Sequence, residues 1–590
     1  MMIRIALAAC IAAMSADGTK APEVGTTTRV VESDMSKPAS PEERTEYSFL
    51  HMTDLHVSMN RPYSLETLRN FCDTTFPALT ARGNILFLAL TGDLTDGMGR
   101  VFSLEQFGQL EADWTALRKA LDGCIKQGVP MFNIRGNHDA FGVHSFNHPS
   151  NDLFTSLQSE THGLLVNSSL QVVAFHEESG SMALFHPESN SRFVFLDAGR
   201  TVPSPHQYHG EFSESQARWL EEFIGGKTNT KTQTTYVFIH FPLGCLTPES
   251  RQRLLRAVAP SSSRVTFLSG HIHSLIGKRG VQAIRSHDDI DELQLSDFKW
   301  SGAVRRVDIN TGLFVDVPAD GTVSVTIQLD PDVRTSDETG RTLLGIHANA
   351  NQVIDTVTRC SGSSESSALR PGPSMSFFFS PSPAQLDCVE VSVIDSQTGK
   401  RSMQRVTAVD TRLGNRSFAR LAFSYFFETL QIVLLFEYVV LVVVARFLFN
   451  KLRNVPLTLY LVLSPVIPST VSDNFFDRPW VLSNGVAGID LETSEVFIDY
   501  ETVRLGIMML LYLLFAIAVL WTKPQRSFVG KLGWVLFLLP LTMVDMRMTV
   551  SRGGLKTLTL SPHIWIIVYL WYLLITQGRR ALSSKKAKTD

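Results

Sequence analysis

The sequence predicts an α/β domain, then a β module, then a bundle of membrane-spanning helices, and three changes of pattern along its 590 residues mark the parts. Between 46 and 300, short apolar runs of strand character alternate with helical patterns such as Leu104 to Leu121. From 301 to 415 the helical period is absent. Short β-like stretches broken by turn residues take over at 304–309, 312–317, 323–329, 344–348, 376–379 and 388–394, which reads as an immunoglobulin-like β-sandwich. From 421 to 580, apolar residues gather into stretches long enough to cross a hydrocarbon core of ~30 Å.

Before the α/β domain, residues 1–16 carry Arg4, an apolar run from Ile5 to Met14 and small residues at the end, the pattern of a secretory signal peptide. Residues 17–45, rich in Thr, Ser, Glu and Pro without periodicity, read as a linker.

Within the α/β domain, five strand-like runs (47–52, 85–90, 131–134, 236–239 and 265–268) each deliver a polar motif. In order these are Asp54-Leu55-His56, Gly92-Asp93-Leu94-Thr95-Asp96, Gly136-Asn137-His138-Asp139, His240 and Gly270-His271-Ile272-His273. One Gly-Asp after a strand is commonly only a turn. Together the motifs offer hard oxygen and borderline nitrogen donors, suited to zinc, iron or manganese, and no cysteine. Asp54, His56, Asp93, Asn137, His240, His271 and His273 are too many ligands for one four-coordinate ion but suit two ions that share a carboxylate.

These motifs, in this order, resemble the signature of the calcineurin-like metallophosphoesterase superfamily. The resemblance implies a four-layer sandwich, two β-sheets flanked by helices, with the site in the loops at the strands' carboxyl ends. It implies one metal on Asp54, His56, Asp93 and His273 and another on Asp93, Asn137, His240 and His271, with Asp93 bridging. The ions would be divalent or trivalent manganese, iron or zinc, and the nucleophile a metal-bound hydroxide. His138 would stabilise the transition state or protonate the leaving oxygen, with Asp96 orienting its ring; the other reading of His138 is a hydrogen-bond donor that positions Asn137.

Asp96 is followed by Gly97 and Met98, where the superfamily's phosphoprotein phosphatases continue Asp-Arg-Gly, which weighs against a phosphoprotein substrate. Residues 192–197 and 210–220 resemble the small-molecule and phosphodiester branch. In the second of these, Ser213 and Gln216 form a capping box that predicts a helix start.

The candidate spans fall at 423–448, 455–471, 502–521, 532–548 and 561–577, five crossings with four as the alternative. Basic residues flank the first exit (Arg446, Lys451, Arg453), follow the third span (Lys523, Arg526, Lys531) and crowd the end, where Arg579 and Arg580 precede a basic tail at 581–590. This places those regions and the carboxyl terminus in the cytoplasm and the catalytic domain in the lumen or outside the cell, with Arg547, Arg552 and Lys556 as a mild exception. Glu437, Asp545 and Arg547 lie within spans, where ionisable groups are costly; Pro465, Pro468 and Pro540 predict helix kinks.

Of six cysteines, all but Cys10 remain after signal cleavage, and Cys360 with Cys388 is the first pairing to expect in an oxidising lumen, unpaired buried thiols being the alternative. Asn167-Ser168-Ser169 is a glycosylation acceptor in a loop, whereas Asn415-Arg416-Ser417 has the acceptor pattern but lies close to the first candidate span. A net charge of -3 leaves no footprint for nucleic acid.

The three-part order is similar to that of a family of multi-span membrane proteins over nearly the whole mature chain. The expected function is a membrane-anchored phosphoesterase of the secretory pathway or cell surface. Tethering to the bilayer favours a lipid-linked phosphodiester over a soluble phosphorylated metabolite. The alternative is a metal-stabilised receptor or scaffold without turnover.

Overall fold

The computed structural model describes residues 47–410 with interruptions, the longer ones at 98–107, 144–151, 163–167, 200–208, 226–233, 274–280, 286–289, 330–341, 360–369, 372–376 and 381–387, and beyond 410 only scattered positions from 439 to 572. Its first unit opens with β1 (Tyr47–Met52), a helical rod of α1 (Tyr63–Asn70) and α2 (Phe76–Arg82) joined through a π-helical turn, β2 (Asn84–Thr91), α3 (Glu111–Ile125), β3 (Met131–Ile134) and α4 (Asn137–Ala140). It continues through α5 (Leu153–His162), β4 (Gln171–His176), β5 (Ser181–His186), β6 (Ser191–Leu196), α6 (Glu214–Gly225), β7 (Thr234–Ile239), α7 (Pro248–Val258) and β8 (Arg264–Ser269). It closes with β9 (Val281–Arg285), β10 (Ile290–Gln294), α8 (Phe298–Ser301), β11 (Ala303–Asp308) and β12 (Phe314–Pro318).

Two sheets carry this unit. One runs β12-β11-β1-β2-β3, the other β4-β5-β6-β7-β8-β10-β9. In the first, β1, β2 and β3 are parallel; in the second, β6, β7, β8 and β10 are parallel. Strands buried on both faces need continuous apolar runs, and β2 (NILFLALT) and β7 (TTYVFI) supply them.

Between the sheets lies a core rich in aromatic rings, including Phe49, Phe87, Phe132, Phe193, Phe195, Tyr236 and Phe238. Phe49 and Phe87 stack at 5.2 Å with edge contacts to Phe193 and Phe238. On the outer faces, Leu65, Leu68, Trp114 and Leu117 cover the first sheet, and Trp219, Leu220 and Leu254 cover the second. Polar ties also cross between the sheets: Tyr236 Oη donates to Ile309 O at 3.0 Å, and buried Arg305, paired with Asp316, donates to Gln294 O at 3.2 Å.

Helix α6 starts where the capping box predicts, with Gln216 N donating to Ser213 Oγ at 3.1 Å and Ser213 N to Gln216 Oε1 at 3.0 Å. Helix α3 begins at Glu111 rather than within the pattern from Leu104; residues 108–110 are not helical, and Leu110 precedes it in extended backbone. The boundary drawn at 300 falls inside the first sheet. Strands β11 and β12 pair with each other, and β11 with β1, although their short β-like pattern resembles that of the module which follows.

That module has one sheet from β13 (Ser324–Leu329), β14 (Thr342–His347), β16 (Arg370–Pro371), β17 (Phe377–Ser380) and β20 (Val409–Asp410), and another from β15 (Gln352–Arg359), β18 (Cys388–Asp395) and β19 (Arg401–Thr407). Strand β13 joins it to the first unit through the period of two. Val325 and Ile327 enter the module's core, while Ser324, Thr326 and Gln328 bond the backbone of β12, whose exposed edge they cap.

The candidate spans lie almost entirely outside the described residues, as do Glu437, Asp545, Arg547, Asn167, Asn415 and Cys360. Among the described residues no helix is long and apolar enough to cross a membrane. The fourth and fifth candidate segments meet where Trp571 Nε1 donates to Thr542 Oγ1 at 3.2 Å. The second expectation needs correcting at its end: Pro468–Ser472 is a strand, paired antiparallel with Trp480–Ser483, so Pro468 opens a strand instead of kinking a helix. The first position of a strand tolerates a residue without an N–H.

A disulfide joins Cys72, in the π-helical turn, to Cys124 in α3. It closes a separation of 52 residues, so replacing both cysteines by serine should lower the unfolding free energy by about 4 kcal/mol in denaturant titrations. His51 offers a second test. Burial, then the charge of Arg305, hold it down at about 3 from its ordinary 6.5, and among the described residues its Nδ1 has no hydrogen-bond partner. The unfolded chain therefore takes up a proton between about 6.5 and 3 that the folded chain refuses, and stability falls as pH drops through that window. Between pH 7 and 5 the loss is about 2 kcal/mol, and His51→Gln should remove it from the urea midpoints.

Candidate metal centre

The parallel strands of both sheets end on one side, and the polar motifs occupy those ends. Reaching the centre requires unusual backbone. Asp54 (φ 54°), His56 (φ 44°), Asp93 (φ 51°), His271 (φ 74°) and His273 (φ 52°) are left-handed; among the described residues only Asn190, in a turn, is another non-glycine with positive φ. Each such conformation costs about 1–3 kcal/mol and persists only where its surroundings impose it.

Here cross-loop bonds impose it: Asp54 N to Gly92 O at 3.0 Å, His56 N to Asp93 O at 2.8 Å, and His271 N to Asp54 Oδ2 at 2.9 Å. Two glycines let the loops meet. A Cβ on Gly136 would lie 2.1 Å from Asp93 Oδ1, and one on Gly270 would lie 1.9 Å from Thr53 Oγ1.

The seven candidate ligands come together in two groups that share Asp93. In the first, Asp54, His56, Asp93 and His273 converge: His56 Nε2 stands 2.9 Å from His273 Nε2 and 3.5 Å from Asp93 Oδ2, and His273 Nε2 stands 3.2 Å from Asp54 Oδ1. In the second, His240 Nε2 lies 3.5 Å from Asp93 Oδ1, and Asn137 Oδ1 lies 3.2 Å from His240 Nε2 and 3.0 Å from His271 Nδ1.

The donor set fits two cations on its own chemistry. His240 commits its Nδ1–H to Thr91 O at 2.7 Å, so its Nε2 lone pair faces the oxygens of Asn137 and Asp93, an arrangement of acceptors that a cation would reconcile. His56 likewise commits Nδ1 to the Asp96 carboxylate at 3.2 Å and turns Nε2 inward. Among the described residues, nothing gives buried Asp54 Oδ1 a hydrogen bond of good geometry.

Burial holds His56 at about 4 and lowers His240, so both are neutral, the form that ligates. Burial, then the Asp54 and Asp139 carboxylates, push Asp93 well up. Asp54 is instead held below the ordinary carboxylate range, because its histidine neighbours, His273 first, outweigh burial.

Asp96 departs from its expected role. Its carboxylate bonds His56 Nδ1 and Lys299 Nζ, each at 3.2 Å, while its backbone carbonyl, at 2.5 Å, accepts from His138 Nδ1. His138 is thus oriented by main chain, while the Asp96 side chain points toward the first group. Nε2 of His138 faces the centre, 3.9 Å from Asp93 Oδ2.

Three contributors escaped the motif reading. Lys299 lies far along the chain. Asp139, inside a quoted motif, takes Leu94 N at 2.9 Å on Oδ1 and Gly136 N at 3.0 Å on Oδ2, joining two loops. Arg135, fully buried, forks onto Asp152 at 2.9 and 2.6 Å and reaches Asp197 at 3.2 Å, fixing the third loop against the second sheet; a charge directly after an apolar strand was its signal.

Residues 47–275 match the family model described as calcineurin-like phosphoesterase. Over 256 residues, 42% of this chain and 35% of the relative, the chain is 28% identical to transmembrane protein 62 of Mus musculus. Over 259 residues, 42% of this chain and 32% of the relative, it is 26% identical to a "putative metallophosphoesterase" of Arabidopsis thaliana. The match thus spans about a third of each relative. A solved structure, TT1561 of Thermus thermophilus, aligns with 47% of this chain and 100% of its own at 12% identity and a TM-score of 0.27.

Asp96→Asn separates the two duties of Asp96, because it removes the carboxylate from His56 and leaves the carbonyl to His138. Affinity for the manganese ion beside His56 should fall about 10–100-fold in chelator competition.

Proposed function

We propose that this chain is a membrane-anchored phosphoesterase that hydrolyses a phosphate ester at a two-metal centre on the lumenal or extracellular side. The observation that carries the reading is the convergence of seven imidazole, carboxylate and amide side chains into two groups that share one carboxylate. Asp54, His56, Asp93 and His273 would hold one ion, and Asp93, Asn137, His240 and His271 the other, manganese, iron or zinc each suiting the donors. When bound, the pair supplies positive charge to an in-line phosphoryl transition state and acidifies water near neutral pH.

The chain's own residues do the rest. His138, its Nδ1–H spent on Asp96 O, presents Nε2 to the centre, where it can hold a proton beside the leaving oxygen. Asp139 and Arg135 keep that loop in register with Asp93.

The lumenal placement draws support from the Cys72–Cys124 disulfide, since such bonds persist in oxidising compartments, and from the signal-like start and basic flanks of the sequence. Tethering favours a lipid-linked phosphodiester.

The full-length protein in detergent, supplied with manganese, should hydrolyse bis-p-nitrophenyl phosphate or p-nitrophenyl phosphate, lose turnover to chelator, and lose it in Asp93→Asn without losing membrane insertion. His138→Ala should reduce kcat by about 10²–10⁴-fold while the metal stoichiometry stays at two. Turnover retained by Asp93→Asn would overturn the two-metal reading.

A further inference from the structure

Helix α8 and the start of α1 both rest on the first metal loop. Phe298 N donates to Thr53 O at 3.0 Å and Lys299 N to Asp54 O at 3.2 Å, while Ser64 Oγ donates to His56 O at 3.2 Å. Side chains leaving these elements therefore border the centre on the Asp54 and His56 side. Lys299 and Trp300 lie beyond the 47–275 family match, so nothing in that match accounts for them.

Lys299 Nζ reaches Asp96 Oδ1 at 3.2 Å with a side chain still 12% exposed. An ammonium group has three donors, and among the described residues Asp96 takes one. Trp300 sets its ring 5.6 Å from that ammonium and is 63% exposed; Tyr63, opening α1, is 60% exposed. Large aromatic side chains left open beside a buried polar centre offer area that a substrate's organic group can cover.

We infer that Lys299 and Trp300 select the substrate: Lys299 Nζ binds a phosphoryl oxygen, and the Trp300 indole covers a bulky apolar alcohol esterified to that phosphate. The preferred class is then phosphate esters of large apolar alcohols over those of small ones. This rests on the phosphoesterase reading for its chemistry, yet binding alone tests it.

Methyl phosphate and phenyl phosphate carry the same charge and differ only in the organic group. Calorimetry on the manganese-loaded full-length protein in detergent, carrying His138→Ala to suppress turnover, should find phenyl phosphate bound about tenfold more tightly. Trp300→Ala should erase that preference while methyl phosphate binds as before, and Trp300→Phe should restore most of it. Lys299→Met should weaken both ligands by about tenfold with manganese stoichiometry unchanged.

The inference fails if the His138→Ala protein binds neither phosphate or does not distinguish them, or if adding Trp300→Ala weakens both alike. A loss of manganese in Lys299→Met would make Lys299 a support for Asp96 and overturn its part. The expected binding pattern without hydrolysis by the wild-type protein would overturn the enzyme reading and leave the selection surface standing.

Discussion

Everything in the first unit serves to bring Asp93 within reach of two groups of donors from two different sheets. Its Oδ2 faces His56 and its Oδ1 faces His240, so a single carboxylate couples the ends of β1 and β2 to the end of β7. Such crowding of buried carboxylates and imidazoles is unfavourable for a metal-free protein. Five left-handed backbone conformations add to the cost. The apolar core between the sheets and the backbone bonds between loops offset it, and bound cations would turn it into affinity.

The centre is asymmetric in how it is supported. On the His240 side the outer partner of the imidazole is a neutral carbonyl, Thr91 O; on the His56 side it is the Asp96 carboxylate, itself held by Lys299. A carboxylate partner makes an imidazole a stronger donor to a cation than a carbonyl does. The two ions would therefore differ in environment even where their immediate ligands are alike, and the ion beside His56 is the one tied to α8.

The sequence carried the candidate ligands because polar motifs at strand ends are local: each motif sits within a few residues of a strand, and an apolar run followed by Asp, Asn or His needs no tertiary knowledge to be noticed. What it could not carry was long-range geometry. Cys72 and Cys124 pair because two helices on one face of the first sheet pass each other, whereas Cys360–Cys388 was favoured by compartment alone. Strands β11 and β12 look like the module that follows because a period of two does not say which sheet a strand joins. Asp96 was read as a side-chain partner of His138, but a motif cannot show that its carbonyl faces one histidine and its carboxylate another.

Lys299 shows the same limit from the other direction. Nothing around Ser296-Asp297-Phe298-Lys299 marks it as part of the site, since its place depends on β10 lying parallel beside β8 and ending on the same side as β1. Once there, α8 bonds the backbone of Thr53 and Asp54, so the segment that leads into β11 is fastened to the first metal loop. Strand β11 then pairs with β1, and β12 is capped by β13 of the β module. A continuous path of backbone pairing and side-chain bonds thus runs from Asp54 to the β module. The module acts as more than a spacer before the candidate spans, because its first strand covers the edge of the sheet whose strands β1, β2 and β3 end in candidate ligands.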